Sequence, residues 1–140
     1  MVLPKIITGD CHIDQRGTLI YNNNFDATCV KRVYFIENRN DSVVRGWQGH
    51  KIEKRWFSAV LGSFKIRLIK INNWELPGKE LSPIEYEINS DKMEVLYVPK
   101  GYVTSIQSME KNSKLLVMAD YLIGETKDEY RYPINYFEKE

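Results

Sequence analysis

The sequence predicts an all-β sandwich or jelly roll, and two observations carry that expectation. Short segments rich in β-branched and aromatic residues recur along the chain, and turn formers separate them at close intervals. A third observation, the lack of any repeat, low-complexity stretch or linker, makes residues 1–140 one domain, long enough to bury a real core. In order, strands are expected at Ile6–Cys11, Thr18–Tyr21, Lys31–Glu37, Val43–His50, Trp56–Leu61, Phe64–Ile71, Ile84–Ile88, Glu94–Val98, Thr104–Gln107 and Lys114–Ala119. Between them fall turn signals: Asp14-Gln15-Arg16-Gly17, Asn22-Asn23-Asn24, Asn38–Asp41, Gly62, Asn72-Asn73, Pro77-Gly78, Asn89–Asp91, Pro99–Gly101 and Lys111–Ser113. The charged, Tyr-rich tail from Gly124 to Glu140 reads as a short helix or an extended arm across the barrel.

Bulk charge narrows the function classes. A net charge of +1 gives no global argument for nucleic acid or an anionic membrane. Basic residues are dense only from Arg45 to Arg55, which a solvated strand would also explain. Cys11 and Cys29 have no metal-ligand spacing and read as reduced, partly buried thiols. The start Met1–Lys5 has no apolar core of a leader, and no run approaches a membrane span, so a soluble cytoplasmic protein is the expectation.

Chemistry concentrates around Gln48-Gly49-His50, followed by Arg55 and Gly62, with Pro99-Lys100-Gly101 and Thr104 much later. This spacing resembles the two motifs of a metal-binding cupin jelly roll. Such a cupin has two histidines two residues apart, a carboxylate five further on, a glycine seven beyond that, and a third histidine three residues after a Pro-x-Gly turn. Here the four ligand positions hold Gln48, His50, Arg55 and Thr104. A guanidinium has no lone pair to donate, so the set cannot bind a first-row metal, and neither metal nor cofactor is expected. Strand period two puts Gln48 and His50 on one face, and Arg55, Phe57 and Ala59 on one face of the next strand. An inward Arg55 would need an anion or a carboxylate beside it; a one-residue shift in register would instead turn it to solvent.

Four stretches resemble a narrower family. Asp14-Gln15-Arg16-Gly17-Thr18-Leu19, Lys31-Arg32-Val33-Tyr34-Phe35-Ile36, Arg45-Gly46-Trp47-Gln48-Gly49-His50-Lys51 and Leu96-Tyr97-Val98-Pro99-Lys100-Gly101 are similar to motifs of the WxcM-like dTDP-sugar 3,4-ketoisomerases. The related dTDP-4-dehydrorhamnose 3,5-epimerases share the first turn, an Arg-Gly-x-His strand and a Pro-x-Gly turn. The tail Asp128–Pro133 is only loosely similar to either family's C-terminal arm. The resemblance implies a homodimer and a dTDP-linked 4-keto hexose as substrate. It implies proton abstraction beside the keto group and reprotonation elsewhere, without a redox cofactor, in deoxysugar biosynthesis for surface polysaccharide. Histidine and tyrosine suit that chemistry because their pKa values can be tuned towards neutrality, and Lys and Arg suit a diphosphate.

Carried across residue by residue, the resemblance implies His50 and Tyr34 as catalytic groups. The implied substrate contacts are Arg16, Arg45, Gln48, Lys51, Arg55 and Thr104. The departures are Gln48, which takes the place of the first histidine and cannot accept a proton at neutral pH, and Thr104, which replaces another. Each assignment has a plainer counterpart. His50 could be a pocket histidine that only helps binding, and Tyr34 a core tyrosine. Trp47, Trp56 and Trp74 could stack on thymine or sugar, but packing is the commoner use of such residues. His12 is expected to have no catalytic role. The alternative to an isomerase is an accessory barrel that keeps the nucleotide-sugar pocket and has lost the chemistry.

Overall fold

In the computed structural model, which describes residues 2–138, two antiparallel five-stranded sheets face each other as a jelly-roll sandwich. The strands are β1 (Lys5–Ile7), β2 (Asp10–Asp14), β3 (Gly17–Tyr21), β4 (Arg32–Ile36), β5 (Val44–His50) and β6 (Arg55–Leu61). They continue as β7 (Ser63–Lys70), β8 (Ile84–Asn89), β9 (Val95–Val98), β10 (Tyr102–Ser108), β11 (Lys114–Ala119) and β12 (Tyr130–Arg131). One sheet has the order β1-β9-β6-β11-β4 and the other β12-β5-β10-β7-β8, while β2 and β3 form a separate hairpin. No helix occurs among the described residues, so none is long and apolar enough to cross a membrane.

Two expectations about elements are corrected. The segment expected as one strand, Ile6–Cys11, divides at Thr8-Gly9, because β1 pairs with β9 and β2 turns away to pair with β3. Gly9 sits hard against other backbone: a Cβ there would lie 2.0 Å from the Lys92 carbonyl oxygen. The tail forms no helix among the described residues; it is an arm whose β12 adds to the edge of β5. Cys29 is exposed rather than partly buried, and Cys11 is half-buried; both are free thiols.

Period-two alternation builds the core. On β7, Phe64, Ile66 and Leu68 are fully buried while Lys65 and Arg67 lie on the other face. They meet Phe57 and Ala59 of β6, Leu96 and Val98 of β9, and Leu115 and Val117 of β11 between the sheets. Each such side chain contributes about 1.5–3 kcal/mol through burial. The outer faces are covered as well. Phe25 and Val30 pack on Trp56, Val95 and Met118. Phe137, Tyr132 and Tyr136 of the arm pack on Trp47, Ile69 and Val103. All three tryptophans therefore have packing roles, Trp74 included.

A bulge in β5 sets which residues reach the interior. Ile106 pairs with Arg45 and Thr104 with Gln48, so Gly46 and Trp47 together oppose Ser105. Gly46 is required there, since at φ +154° its Cβ would fall 2.9 Å from Ser105 Cα and Cβ. Strict alternation would turn Arg45 away from Gln48 and His50; the extra residue brings all three to the inward face.

Asp128 ties the start of the arm to the β5–β6 loop. Asp128, 3% exposed, accepts the backbone N–H groups of Lys51 (2.8 Å), Ile52 (2.8 Å) and Glu53 (2.8 Å) on its carboxylate. Replacing Asp128 with Ala would leave three donors of the β5–β6 loop without their anionic partner. The expected cost is roughly 3 kcal/mol, with a parallel rise in proteolysis of the arm, both read by urea unfolding and limited digestion. A variant within about 0.5 kcal/mol of wild type, the range of an ordinary surface change, would contradict this role.

Candidate active site

Where β4 and the β5–β12 pair form the edges of their sheets, the sandwich opens into a cavity of about 840 Å³. Arg32, Tyr34 and Ile36 of β4 line one wall, Arg45, Gln48 and His50 of β5 the other, and Arg55, Thr104 and Ile106 the floor. The arm closes one side with Leu122, Ile123, Thr126, Asp128, Glu129 and Arg131.

His50 stands at the centre of the polar groups. Its Nδ1 lies 2.9 Å from the Asp128 carbonyl oxygen. A carbonyl only accepts, so Nδ1 must carry the proton and Nε2 keeps its lone pair for the cavity. Burial, and after it the charge of Arg55, holds the imidazole below its usual pKa of 6.5. The carbonyl bond and the charges of Glu53 and Asp128 oppose that shift without reversing it. The 3.8 Å approach of Nδ1 to Glu53 Oε2 is thus a contact of the neutral ring rather than an ion pair at neutral pH. His50 is thus held in one tautomer, with Nε2 open to the cavity.

Arg55 is 5% exposed, so the inward one of its two possible registers is the one adopted, and its charge is met by Glu53 at 3.0 Å. Glu53 was not foreseen by name, although the need of a buried arginine for a carboxylate was the signal that could have found it. Thr104 lines the cavity, its hydroxyl 3.4 Å from the Gln48 carbonyl oxygen. Tyr34 does two things at once: it packs on the core and lines the cavity, with the Arg32 guanidinium 4.5 Å from its ring centroid. Arg45 Nε donates to Asn38 Oδ1 at 2.8 Å. Among the described residues no carboxylate comes within ion-pair distance of Arg32 or Arg45, so both cations are uncompensated in the cavity wall.

Two expected contacts lie elsewhere. Lys51 is exposed in the β5–β6 loop, outside the cavity lining. Arg16 sits at the tip of the β2–β3 hairpin, its side chain 83% exposed and paired with Asp14 at 2.7 Å, also outside this chain's cavity. His12 is on the same exposed hairpin, 3.2 Å from Asp14. His50, Glu53 and Asp128 place potential ligand atoms within 4.8 Å of one another. Of their ligand atoms, His50 Nδ1 is engaged by the Asp128 carbonyl, Glu53 Oε1 by Arg55, and both Asp128 carboxylate oxygens by backbone amides.

With this geometry in place, comparison with known proteins decides the family. The family described as "FdtA: WxcM-like, C-terminal" matches residues 3–139. The chain belongs to that family. Among solved structures, a 3,4-ketoisomerase from Thermoanaerobacterium thermosaccharolyticum in complex with TDP superposes with a TM-score of 0.72 at 25% identity, over 99% of this chain and 94% of its own. A TDP-quinovose 3,4-ketoisomerase from Campylobacter jejuni gives 0.67 at 23%, over 97% and 98%. A dTDP-4-dehydrorhamnose 3,5-epimerase from Sulfolobus tokodaii gives 0.74 at 14%, over 97% and 80%, a likeness of fold. Among curated proteins no sequence matches. The chain thus has the fold of enzymes that isomerise or epimerise dTDP-sugars.

The depressed pKa of His50 has a signed consequence. As pH falls below 6.5 the unfolded chain takes up the histidine proton before the folded one does, so stability declines on acidification. His50→Asn removes that slope, measurable as the difference in unfolding free energy between pH 7 and pH 5.5. An unchanged slope in the variant would contradict the burial of a neutral ring.

Proposed function

We propose that this protein is a metal-independent sugar-nucleotide isomerase acting on a dTDP-linked 4-keto-6-deoxyhexose, of the 3,4-ketoisomerase rather than the 3,5-epimerase type. The observation that carries the reading is the tautomer of His50: a neutral imidazole with its acceptor nitrogen facing a cavity that also presents two uncompensated arginines. A 4-keto group acidifies the C3–H bond. His50 Nε2 takes that proton, the electron pair moves into the C3–C4 bond, and the oxygen on C4 gathers negative charge. In this reading Tyr34, on the opposite wall, donates a hydrogen bond to that oxygen and keeps its proton. In this reading Arg45 and Arg32, from the two walls of the mouth, bind the diphosphate, which forked cations suit. Arg32 is an addition to the residues expected from the sequence. Gln48 on the wall and Thr104 on the floor serve as polar contacts for the sugar, and Glu53 holds Arg55 in the floor.

The ketoisomerase type is favoured by the solved relatives, since the chain covers nearly the whole length of two 3,4-ketoisomerases.

The protein works as a homodimer in this reading. Val33 and Phe35 on the outer face of β4 are 62% and 60% exposed, and Ile13 and Leu19 on the hairpin are 71% and 62% exposed. Such apolar surface calls for a cover, and a second copy supplies one. Pairing of that kind would let the projecting hairpin carry Arg16 to the partner's cavity, where it would reach the nucleotide. Light scattering at micromolar concentration is expected to give twice the chain mass, with Arg16→Ala weakening dTDP binding; a strict monomer contradicts this assembly.

Incubation with dTDP-4-keto-6-deoxyglucose in deuterated water tests the reaction. Wild type is expected to wash deuterium into C3. His50→Asn should lower turnover by about a hundredfold or more while dTDP binding changes little, and Arg45→Ala should weaken binding. Turnover indifferent to His50→Asn rejects the catalytic assignment. Binding without any exchange by wild type leaves an accessory nucleotide-sugar protein instead.

A further inference from the structure

We propose that Glu129, delivered by the C-terminal arm, is the second proton-transfer group of the site and moves the proton between the two sugar oxygens. The inference rests on the ketoisomerase reading above. It starts from a deficit: a 3,4-ketoisomerisation moves two protons, one between carbons and one between oxygens, and Gln48, where the resemblance implies an imidazole, cannot accept either.

The structure puts a carboxylate against that amide. Gln48 Nε2 donates to Glu129 Oε1 at 2.5 Å, and Arg131 Nη2 donates to the same oxygen at 2.7 Å. Among the described residues no hydrogen bond is made to Oε2, which keeps its lone pairs. Strand pairing fixes where this carboxylate looks. Tyr130 pairs with Gly49 and Arg131 with Gln48, so Arg131, and Glu129 two residues before it, take the face of Gln48 and His50. Glu129, Arg131, Gln48 and His50 all line the one cavity. The residue before Glu129 is Asp128, whose carbonyl orients His50. Two successive residues of the arm therefore position both proton-handling groups.

The proton count then closes. His50 Nε2 takes the proton from C3, and the C–H electron pair becomes the C3=C4 double bond as the C4 carbonyl becomes an oxyanion. Glu129 Oε2 takes the proton from the hydroxyl on C3 and returns it to the oxygen on C4. The O–H pair left on the C3 oxygen becomes the new carbonyl, and the double-bond pair takes the proton back from His50 at C4. No proton or electron is gained or lost, and no other reactant is needed. The neighbouring oxygens of the enediol are close enough for one carboxylate to serve both. Gln48 and Arg131, both bound to Oε1, leave Oε2 as the working oxygen.

The test separates the carbon step from the oxygen step. With dTDP-4-keto-6-deoxyglucose in deuterated water, proton NMR follows deuterium entry at C3 and formation of the 3-keto isomer independently. Glu129→Gln keeps an acceptor for Gln48 and Arg131, so dTDP binding and melting temperature should hold. It is expected to retain C3 exchange while isomer formation falls about a hundredfold or more. Adding Gln48→His to that variant should restore part of the conversion, by placing an imidazole where the carboxylate was held. Conversion by Glu129→Gln at the wild-type rate overturns the proposal while leaving the His50 reading intact. Equal loss of exchange and conversion also overturns it, because the residue then acts at carbon or in binding. Should Glu129→Gln fail to fold, Glu129→Asp keeps the charge and shortens its reach. The same split in smaller degree supports the role, and proportional loss of both steps rejects it. A wild type showing neither exchange nor conversion removes the ketoisomerase reading itself, and this inference with it.

Discussion

Asp128 is the residue on which the site's architecture depends. Its carboxylate gathers three successive backbone N–H groups of the β5–β6 loop, and its carbonyl receives the His50 Nδ1–H. A loop of three converging amides behaves as a small anion nest, so a buried carboxylate is a favourable occupant. Because that carboxylate belongs to the arm, loop conformation, arm position and imidazole tautomer are decided together. Without it, the chain would keep its two sheets and the Trp47–Tyr132 bonds that hold the arm beside β5, but the β5–β6 loop and the start of the arm would lose their common tie and His50 its fixed partner.

Around that point the fold manages an awkward amount of charge. A sandwich core this apolar cannot hold an unpaired arginine, and Arg55 is tolerated because Glu53 stands 3.0 Å away across the loop that Asp128 shapes. Arg32 and Arg45 take another solution: they sit at the mouth, where the sheets part and water or an anionic ligand can reach them. The same parting that opens the cavity leaves β4 as a sheet edge with apolar side chains outside, so an exposed apolar surface and the wall of the site are two faces of one strand.

Much of the framework was legible in the sequence for local reasons. Alternation placed most strands within a residue or two, and the two-residue spacing of Gln48 and His50 put them on one face. The same rule put Arg55 on one face with Phe57 and Ala59 but left open whether that face turned inward; pairing with β9 and β11 settles it. What the sequence concealed was non-local or a break in period. Nothing in Arg45-Gly46-Trp47 alone announces the bulge that turns Arg45 inward; it appears only against Ser105 of β10. Asp128 and Glu129 lie in a charged tail, 78 and 81 residues from the His50 and Gln48 they meet, and a tail of mixed charge reads as solvated until its pairing is known. Arg16 carried a motif resemblance, yet the chain holds it on an exposed hairpin paired with Asp14, because a short motif does not say where its turn lies relative to the cavity.

The claim underlying all of this is that the Asp128 carbonyl holds His50 as a neutral imidazole with its proton on Nδ1. Long-range ¹H–¹⁵N correlation spectra of the histidine side chains at pH 7 read that state directly. The result predicted here is one of the two histidines showing a protonated Nδ1 and an unprotonated, acceptor-type Nε2, lost in His50→Asn. Observation of the Nε2–H tautomer, or of an imidazolium at pH 7, would contradict it.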